Sequence, residues 1–423
     1  MPDLPVDPRL DVVPAPSARR LAVRVTPDAL RHVRSGHPWI FADSITSITD
    51  GGRPGDLAVV FDRRRAFAAI GLFDPDSPIR VKVLHHGAPA AIDESWWGAA
   101  ITRALDRRAP FVLAADASEL GYRVVNGESD GMPGLVIDRY ADALVVKVYS
   151  AAWFPHLRAV VCAVLDVAGP AGSTAAVVLR LARTVGRGET FGLTDGDVIA
   201  GQLATGTVVF REAGLAFEAD VRHGQKTGWF LDQRSNRMLV GAMTDGLDVL
   251  DVFAATGGFT VHAAAGGARS VLSVDLSAPT LAAAARNLER NRDLPAVRAC
   301  RHEARVGDAF EVLSDLGRQE RRFGLVVVDP PSFAQRQSNV DAALRAYSRL
   351  TRLAVRLVSP GGVLVQASCS SRVPASAFFE AVERAATGAD RPLREITRTG
   401  HDIDHPVTFP EGAYLKAGFW QVP

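Results

Sequence analysis

Hydrophobic and polar residues follow three different patterns along the chain. Between residues 21 and 84, short apolar runs are separated by Gly, Pro and Asp, which predicts a small unit made mostly of β-strands. Residues 96–108 and 156–165 have helical spacing and alternate with strand-like runs, which favours a compact middle α+β domain. From about residue 247, strands alternate with helices, and this predicts a Rossmann-like, doubly wound parallel α/β sheet.

These changes of pattern set the predicted domain boundaries. Residues 1–18 carry five prolines and no periodic apolar pattern, so a flexible tail is expected there. The predicted domains are 19–90 (small β), 91–205 (middle α+β) and 206–423, which begins with a hairpin and contains the doubly wound sheet. The last run, residues 414–422, is typical of an edge strand, and an exposed edge would allow a homodimer.

Within the third domain, the ends of the strands are the positions to inspect. Strands are predicted over residues 247–253, 270–275, 324–329 and 362–366. A helix follows the second strand, with Ser277 as its N-cap and Pro279 in its first turn. Because ligands of open α/β sheets bind beyond the carboxyl ends of the strands, the residues after each strand form the candidate site.

Composition narrows the class of protein. Hydrophobic residues make up 47% and charged residues 22%, which indicates a globular chain, and a net charge of +1 means that nucleic acid would need local basic patches. The cysteines Cys162, Cys300 and Cys369 are far apart and odd in number, which argues against a disulfide framework and favours a reducing cytoplasm. Neither a signal peptide nor a run of roughly 18 apolar residues is evident, so no membrane span is expected. We expect the histidines in residues 401–405 to form hydrogen bonds and not to bind a metal.

The loop after the first strand has the features of a cofactor site. Its glycines, Gly257 and Gly258, let a cofactor approach the backbone closely, but they do not fit the Gly-x-Gly-x-x-Gly pattern of a nicotinamide site. Asp275 ends the second strand and is expected to accept the ribose hydroxyls, while Asp308 is expected to meet the adenine edge. S-adenosylmethionine has no pyrophosphate and is therefore the predicted cofactor. The predicted contacts in the loop itself are Phe253, Thr256, Gly257 and Gly258.

The residues after the next two strands indicate the chemistry. Asp329 is followed by Pro330 and Pro331, which fix its backbone so that the carboxylate can bind the amino edge of an unstacked base, and Phe333 could stack on that base. Cys369 follows the strand predicted at residues 362–366. A thiolate that adds to carbon 6 of a pyrimidine makes carbon 5 nucleophilic, so Cys369 and Asp329 are the predicted catalytic residues of a cytosine C5 methyltransferase.

Several segments resemble a known family, the class I rRNA methyltransferases of the large-subunit methyltransferase I type, which make 5-methylcytosine in 23S rRNA. The resemblance covers nearly the whole chain after the tail and is carried by residues 121–134, 223–237, 329–333 and 368–370. It implies an N-terminal PUA-type RNA-binding domain, matched by residues 36–41, with large-subunit rRNA as the partner. It also implies that the segment from Lys226 to Arg234 closes over the cofactor, with Lys226 contacting the substrate. The cofactor contacts that it implies are Asp232, Gln233, Arg234, Asp329 and Pro330.

With RNA as the implied partner, basic residues of the N-terminal unit become candidate phosphate contacts: Arg31, Arg34 and Arg63–Arg65. Pro331 and Phe333 are the predicted contacts of the target base. No motif identifies the group that removes the carbon 5 proton, for which Glu411 and Asp232 are candidates.

Two other functions compete with this prediction. The first is methylation of a purine nitrogen, because residues 329–333 resemble the Asp/Asn-Pro-Pro-aromatic motif of amino-group methyltransferases, and that reaction needs no thiol. The second is a non-catalytic RNA-binding or ribosome-assembly protein that keeps the fold. Substitution of Cys369 separates the first alternative from the thiol mechanism, and measurement of S-adenosylmethionine binding separates the second.

Overall fold

The computed structural model describes residues 4–112, 119–168, 176–334 and 336–423. These residues form two compact units. Unit 1 comprises the described residues up to Arg211 together with Ala219–Leu231 and Ile403–Gly412, and unit 2 comprises Glu212–Glu218, Asp232–Asp402 and Ala413–Pro423. Unit 1 thus combines the predicted N-terminal and middle domains and takes three segments from the predicted third domain, residues 206–211, 219–231 and 403–412. In the part of the chain that is described, no helix is both long and apolar enough to cross a membrane.

The N-terminal part of unit 1 is built on a mixed sheet with the strand order β2-β6-β5-β4-β1-β3. Its elements are α1 (Arg9–Val12), β1 (Leu21–Val25), α2 (Pro27–Arg34), β2 (Trp39–Phe41), β3 (Ile45–Ile48), β4 (Leu57–Phe61), β5 (Phe67–Phe73) and β6 (Ile79–His86). The Thr26 side chain caps α2 by accepting the Ala29 N–H. The predicted flexible tail differs from the structure, because α1 falls inside it and Leu10 is buried in the hydrophobic core of the unit.

The rest of unit 1 packs helices against a second sheet with the order β11-β10-β9-β8-β7. Its elements are α3 (Glu94–Val112), β7 (Gly121–Asn126), β8 (Leu135–Tyr140), β9 (Ala143–Val148), α4 (Leu157–Ala168), β10 (Ala176–Leu181) and β11 (Val198–Gly201). Trp97 and Ile101 on α3 are buried in the same hydrophobic cluster as Val146 on β9. The α+β character predicted for residues 91–205 is therefore correct.

A hairpin follows, formed by β12 (Thr207–Glu212) and β13 (Leu215–Asp220). Ala213 and Gly214 connect its strands with φ angles of 51° and 82°. Positive φ at both central residues is the geometry of a tight two-residue hairpin turn. The turn predicted from the sequence is thus present.

Unit 2 contains a doubly wound sheet with the order β16-β15-β14-β17-β18-β20-β19. Its elements are α5 (Arg234–Gly241), β14 (Asp248–Val252), α6 (Gly258–Ala265), β15 (Ser270–Asp275), α7 (Ala278–Glu289), α8 (Pro295–Ala299), β16 (Arg301–Val306), α9 (Ala309–Arg318), β17 (Phe323–Val328), α10 (Val340–Val355), β18 (Val358–Ser368), α11 (Ala375–Thr387), β19 (Arg394–Thr399) and β20 (Lys416–Gln421). Strands β14 to β18 pair in parallel, and β20 is antiparallel to both of its neighbours. The predicted α/β sheet is confirmed.

Side chains of the central strands alternate between the two faces of this sheet. On β17, Leu325 and Val327 pack in one hydrophobic cluster, whereas Val326 and Val328 pack in another. A strand covered on both faces has to be apolar at consecutive positions, which explains the uninterrupted aliphatic run in the sequence.

The sequence predicted that the C-terminal strand lies at an edge of the sheet, and this prediction was wrong. β20 lies between β18 and β19, and its Phe419 and Trp420 are fully buried. The edge is instead β19, whose sequence REITRT is largely exposed and charged. Because β20 is paired on both sides, the argument for a homodimer through that strand fails.

Candidate active site

The carboxyl ends of the parallel strands of unit 2 meet at one rim of the sheet. Val252 at the end of β14 pairs in register with Val274 on β15 and with Val328 on β17, and Val328 pairs with Gln366 on β18. Four features therefore lie at the same edge of the sheet: the loop that follows Val252, and the residues Asp275, Asp329 and Cys369. The site predicted from separate strand ends is thus one region of the fold.

The loop after β14 is a tight turn with unusual backbone angles. Phe253, Ala255 and Gly257 have φ values of 65°, 46° and 83°. The Ala255 N–H donates to Asp275 Oδ2 at 3.0 Å, which connects the loop to the end of β15. A Cβ at Gly257 would lie 2.6 Å from the Cβ of Ala284 on α7, so glycine is required both by its φ angle and by the close approach of α7.

Asp275 and Asp308 have the chemistry that an adenosine moiety would need. Asp275 Oδ1 also accepts the Ser277 N–H at 2.9 Å and the Thr280 hydroxyl at 3.3 Å. Because a carboxylate has about four acceptor sites, capacity remains for one ribose hydroxyl. Asp308 is exposed and caps α9 by accepting the Phe310 N–H at 2.9 Å. Beside these carboxylates, Leu276 and Val306 are 74% and 55% exposed, which offers apolar surface to a planar base. The residues present therefore fit S-adenosylmethionine.

A buried polar chain lies behind the glycine loop. The Thr260 hydroxyl of α6 donates to Asp251 Oδ2 at 2.7 Å and lies 2.7 Å from Ser273 Oγ, which is 2.9 Å from His302 Nε2. Within the described residues, Asp251 Oδ1 is buried without a hydrogen-bond partner. Burial raises the pKa of Asp251 to about 6. This chain fixes α6 against β14 and β15 and so supports the loop.

The segment that follows Leu231, where the chain returns to unit 2, contributes polar contacts to the same rim. The Gln233 amide donates to Asp329 Oδ2 at 2.9 Å, and Gln233 is itself held by Asn236 at 2.6 Å. Asp232 accepts the Tyr414 hydroxyl at 2.9 Å. Arg234 forms an ion pair of 2.9 Å with Asp402. Gln233 is thus placed beside Asp329, whereas the side chains of Asp232 and Arg234 bind residues near the C-terminus.

The Asp-Pro-Pro-Ser-Phe segment follows β17. Pro330 is buried and Pro331 is exposed, so the first proline is part of the core and the second faces outward. The Phe333 ring packs against Tyr347 of α10, with 5.1 Å between the ring centroids. One face of Phe333 is therefore used within the protein, and stacking on a base, which stays a prediction, would need another face or edge.

Cys369 follows β18 and is partly exposed, and Cys162 and Cys300 are partly exposed as well. Exposure therefore does not distinguish the three thiols. The serines beside Cys369 are engaged elsewhere: the Ser368 hydroxyl lies 2.8 Å from the Tyr347 hydroxyl, and the Ser370 hydroxyl donates to the Ala334 carbonyl at 3.1 Å. Burial raises the pKa of Tyr347 to about 12, and negative charge on Cys369 and Asp329 acts in the same direction.

Sequence reasoning missed Lys416, which lies at the start of β20 and is 4% exposed. Its ammonium donates to the carbonyl oxygens of Ser370, Val373 and Tyr414. Burial lowers the pKa of Lys416 to about 8, and attraction to Cys369 acts in the opposite direction. The available signal was a single lysine at the head of an otherwise apolar strand.

Other predicted residues belong to unit 1 and are described by their contacts there. Arg31 pairs with Asp28, and Arg34 pairs with Asp62 at 2.8 Å. The Lys226 ammonium lies 4.6 Å from the centre of the Phe230 ring, and the Lys226 carbonyl accepts the Lys147 ammonium at 2.6 Å. Glu411 lies 3.6 Å from His37 Nε2. These contacts leave the predicted roles of Lys226, Arg31, Arg34 and Glu411 untested.

The two histidines near the C-terminus form hydrogen bonds. His401 Nε2 accepts the Leu415 N–H at 3.2 Å, and His405 Nδ1 lies 2.8 Å from Asp404 Oδ1. Among the residues that the structure describes, no group of three or more His, Cys, Asp or Glu side chains is arranged to hold a metal ion.

Comparison with known proteins agrees with this geometry. A profile of the family described as S-adenosylmethionine-dependent methyltransferase matches residues 196–411, and a profile of the PUA-like domain matches residues 23–86. An S-adenosylmethionine-dependent methyltransferase structure from Streptococcus mutans has a TM-score of 0.78 at 20% identity and covers 95% of this chain and 100% of its own. A second methyltransferase structure with the same TM-score and 21% identity contains S-adenosylhomocysteine.

Two curated relatives match nearly the full chain. The ribosomal RNA large subunit methyltransferase of Deinococcus radiodurans is 48% identical over 97% of this chain and 99% of its own length. The ribosomal RNA large subunit methyltransferase I of Photobacterium profundum is 35% identical over 91% of this chain and 95% of its own. The chain therefore belongs to the family of S-adenosylmethionine-dependent ribosomal RNA large subunit methyltransferases.

Proposed function

We propose that this protein transfers the methyl group of S-adenosylmethionine to carbon 5 of a cytosine in large-subunit rRNA through a covalent adduct with Cys369. The observation that carries the proposal is the position of Cys369. It follows β18 directly, on the rim where Asp329 follows the neighbouring β17 and the glycine loop follows β14. The names of the relatives supply the ribosomal substrate.

The reaction needs a nucleophile because carbon 5 of cytosine is too weakly nucleophilic by itself. The Cys369 thiolate forms a bond to carbon 6, and the electron pair of the 5,6 double bond becomes available at carbon 5. S-adenosylmethionine supplies an electrophilic methyl group on a sulfonium sulfur. After methyl transfer, a base takes the carbon 5 proton, the sulfur–carbon 6 bond breaks, and the thiolate is regenerated.

Asp329 is proposed to hold the N3 and N4 edge of the cytosine. Its Oδ2 accepts the Gln233 amide, and Asn236 holds Gln233 in turn. The orientation of the carboxylate is therefore supported by the residue directly before α5 and by a residue within α5. Pro330 is buried and fixes the backbone directly after Asp329. Asp232 and Glu411 remain the proposed candidates for the base that removes the proton.

The other residues predicted to belong to the site would contact the cofactor, the RNA base or the RNA phosphates. The loop residues Phe253, Thr256, Gly257 and Gly258, together with Asp275, Asp308 and the segment from Asp232 to Arg234, are proposed to hold S-adenosylmethionine. Pro331, Phe333 and Lys226 are proposed to contact the RNA base or its neighbours. Arg31 and Arg34 in the PUA-like part are proposed to contact phosphates. The predicted cytoplasmic location fits a ribosomal substrate.

The first test is to incubate wild-type protein and Cys369→Ala with S-adenosylmethionine and unmodified large-subunit rRNA, then identify methylated nucleosides by mass spectrometry. We expect 5-methylcytidine with the wild type and at least a thousandfold less with Cys369→Ala, because direct attack by carbon 5 lacks the adduct. Cys300→Ala, which removes another partly exposed thiol, serves as the matched control and should retain activity.

Each alternative has its own outcome in this experiment. A methylated purine formed by both wild type and Cys369→Ala would support nitrogen methylation and contradict the thiol mechanism. Failure of the wild type to bind S-adenosylmethionine in calorimetry would support a non-catalytic RNA-binding role.

A further inference from the structure

We propose that Lys416 is a positioning residue for Cys369. In this proposal, the buried ammonium of Lys416 holds the segment after Cys369 by its carbonyl oxygens and supplies the positive charge that favours the thiolate. The proposal rests on the role of Cys369 in the proposed function.

The hydrogen bonds of Lys416 define its protonation state. Its Nζ donates to the carbonyls of Val373 at 2.7 Å, Tyr414 at 3.2 Å and Ser370. An ammonium has three N–H donors, whereas a neutral amine has two, so three carbonyl acceptors match the cation. A pKa of about 8 for Lys416 also leaves it mostly charged at pH 7. Because its donors are occupied and it carries the proton, Lys416 is unsuited to remove the proton from carbon 5.

The fold places this cation next to Cys369. Lys416 pairs in register with Ser368, the residue directly before the cysteine, in the antiparallel β18–β20 ladder. Its carbonyl acceptors on Ser370 and Val373 lie on the other side of Cys369 in the chain. On the near side, the Ser368 hydroxyl is bound to Tyr347. The backbone of Cys369 is therefore held on both sides, which restricts the position from which its thiol can reach a substrate.

The charge of Lys416 is not neutralised by its hydrogen bonds. Its acceptors are neutral carbonyls, and attraction to Cys369 raises the pKa of Lys416 against the effect of burial. Such an attraction is mutual, so the ammonium stabilises the thiolate by the same amount. A nearby cation is a known way to make a cysteine nucleophilic at neutral pH.

Two other titratable groups interact with the thiol from neighbouring elements. Tyr347 on α10 stays neutral at pH 7, since burial raises its pKa to about 12. Asp329 after β17 is an acid and opposes the thiolate. A further charged group, Arg372, lies three residues before the start of α11 and is exposed to solvent, so its charge is screened. Lys416 is thus the buried cation that offsets Asp329.

The experiment measures the reactivity of Cys369 without methyl transfer. Iodoacetamide alkylation is followed by mass spectrometry against pH in a Cys162→Ser/Cys300→Ser background, with Lys416→Met and Lys416→Arg added in turn. We expect Lys416→Met to move the alkylation midpoint upward by about one pH unit, which is about a tenfold lower rate at pH 7. Lys416→Arg, which keeps the charge, should restore most of that rate.

Tyr347→Phe is the matched control for a general disturbance of the Cys369 backbone. It removes the bond to Ser368 and leaves the ammonium in place, so its alkylation midpoint should stay near that of the parent. An unchanged midpoint in Lys416→Met with intact S-adenosylmethionine binding would overturn the proposal, as would equal shifts in Lys416→Met and Tyr347→Phe.

A measurement on the wild type covers the case in which Lys416→Met does not fold. Burial raises the pKa values of the Cys162 and Cys300 thiols. If the proposal holds, Cys369 alkylates with a lower pH midpoint than both of them in the same protein, and an equal or higher midpoint contradicts it. Because alkylation needs no methyl transfer, this result is independent of whether Cys369→Ala loses activity, and failure of the proposed function stays distinguishable.

Discussion

Asp251 shows how one residue combines support of the site with a cost in stability. Asp251 is 1% exposed and accepts a hydrogen bond from Thr260, and the effect of burial on its pKa outweighs both this bond and the attraction of Arg237. Burial therefore raises its pKa from 3.8 to about 6. An unfolded chain ionises this group near 3.8, so between these values the folded state binds more protons than the unfolded state. The contribution of Asp251 thus makes the protein less stable as pH rises from about 4 to about 6.

The substitution Asp251→Asn removes this pH dependence. Protonation of Asp251 in the folded wild type stabilises it by about 1.4 kcal/mol at pH 5 and by almost nothing at pH 8. We therefore expect the free energy of unfolding of the variant, minus that of the wild type, to be about 1.4 kcal/mol more favourable at pH 8 than at pH 5. The measurement is urea unfolding of both proteins at the two pH values. A constant difference between the two proteins would show that Asp251 titrates normally.

The control for this comparison lies on the same strand. Asp248 forms an ion pair with Arg269, which is the main reason why its pKa is lowered. Asp248→Asn should therefore give no gain at pH 8, and a loss of at most about 1 kcal/mol is expected for a partly exposed pair.

The sequence predicted those residues of the site that are placed by their own strand, and it missed those that are placed by the packing of other elements. Gly257, Asp275 and Asp329 lie at the ends of strands or in the loops just after them, so the strand pattern and the rule for open sheets were enough to bring them together. Lys416 and Tyr347 meet Cys369 only through the pairing of β18 with β20 and the packing of α10. That information is tertiary and has no signal within a short window of sequence.

At the scale of elements, the connection from β14 to α6 depends on one glycine. Gly257 has a φ of 83°, and a Cβ there would meet both the Cβ and the Cα of Ala284, at 2.6 and 2.9 Å. Ala284 is in the middle of α7. Near the C-terminal end of this helix, the Asn287 side-chain amide donates a hydrogen bond of 2.9 Å to the Thr256 carbonyl, which holds α7 against the loop. A side chain at residue 257 would thus push α7 away from the loop.

Gly257→Ala is expected to destabilise the protein by roughly 2 to 4 kcal/mol, from left-handed backbone strain plus overpacking, and to weaken S-adenosylmethionine binding at least tenfold. Calorimetric titration and urea unfolding measure the two effects. Gly246→Ala is the matched control, since Gly246 also has a positive φ of 69° but nothing within 4 Å of its added Cβ. It should lose about 1 to 2 kcal/mol by strain alone and keep its cofactor affinity. Equal effects of the two variants on binding would contradict the role of the contact with Ala284.

Elements with strong periodicity were predicted well, and elements defined by their neighbours were not. The strands at residues 270–275 and 324–329 and the N-cap at Ser277 appear nearly as predicted. β16 was missed because its residues are mostly exposed and polar, as expected for a strand at the edge. β20 was taken for an edge strand because sequence order does not reveal that β19 pairs outside it.

At the scale of the whole molecule, a net charge of +1 means that RNA binding has to come from a local concentration of cations. The turn between β4 and β5 provides one. Asp62 accepts the N–H groups of Arg64 and Ala66 at 2.8 Å each, which fixes the turn and leaves the side chains of Arg63, Arg64 and Arg65 exposed. Arg34 of α2 reaches the same carboxylate. Several arginines are thus gathered around one acid on the PUA-like part of unit 1.

The combined variant Arg63→Ala/Arg64→Ala/Arg65→Ala tests whether this turn contacts phosphates. Each lost phosphate contact should lower the slope of log affinity against log salt by about 0.7 to 0.9, so we expect a fall of up to about 2 to 3, measured by RNA binding between low and moderate salt. Binding of S-adenosylmethionine should not change. The control, Arg352→Ala/Arg356→Ala/Arg384→Ala, removes the same total charge from exposed positions of unit 2. If both triple variants lower the slope equally, RNA responds to the overall charge and the turn has no special role; if only the first does, the turn is part of the RNA-binding surface.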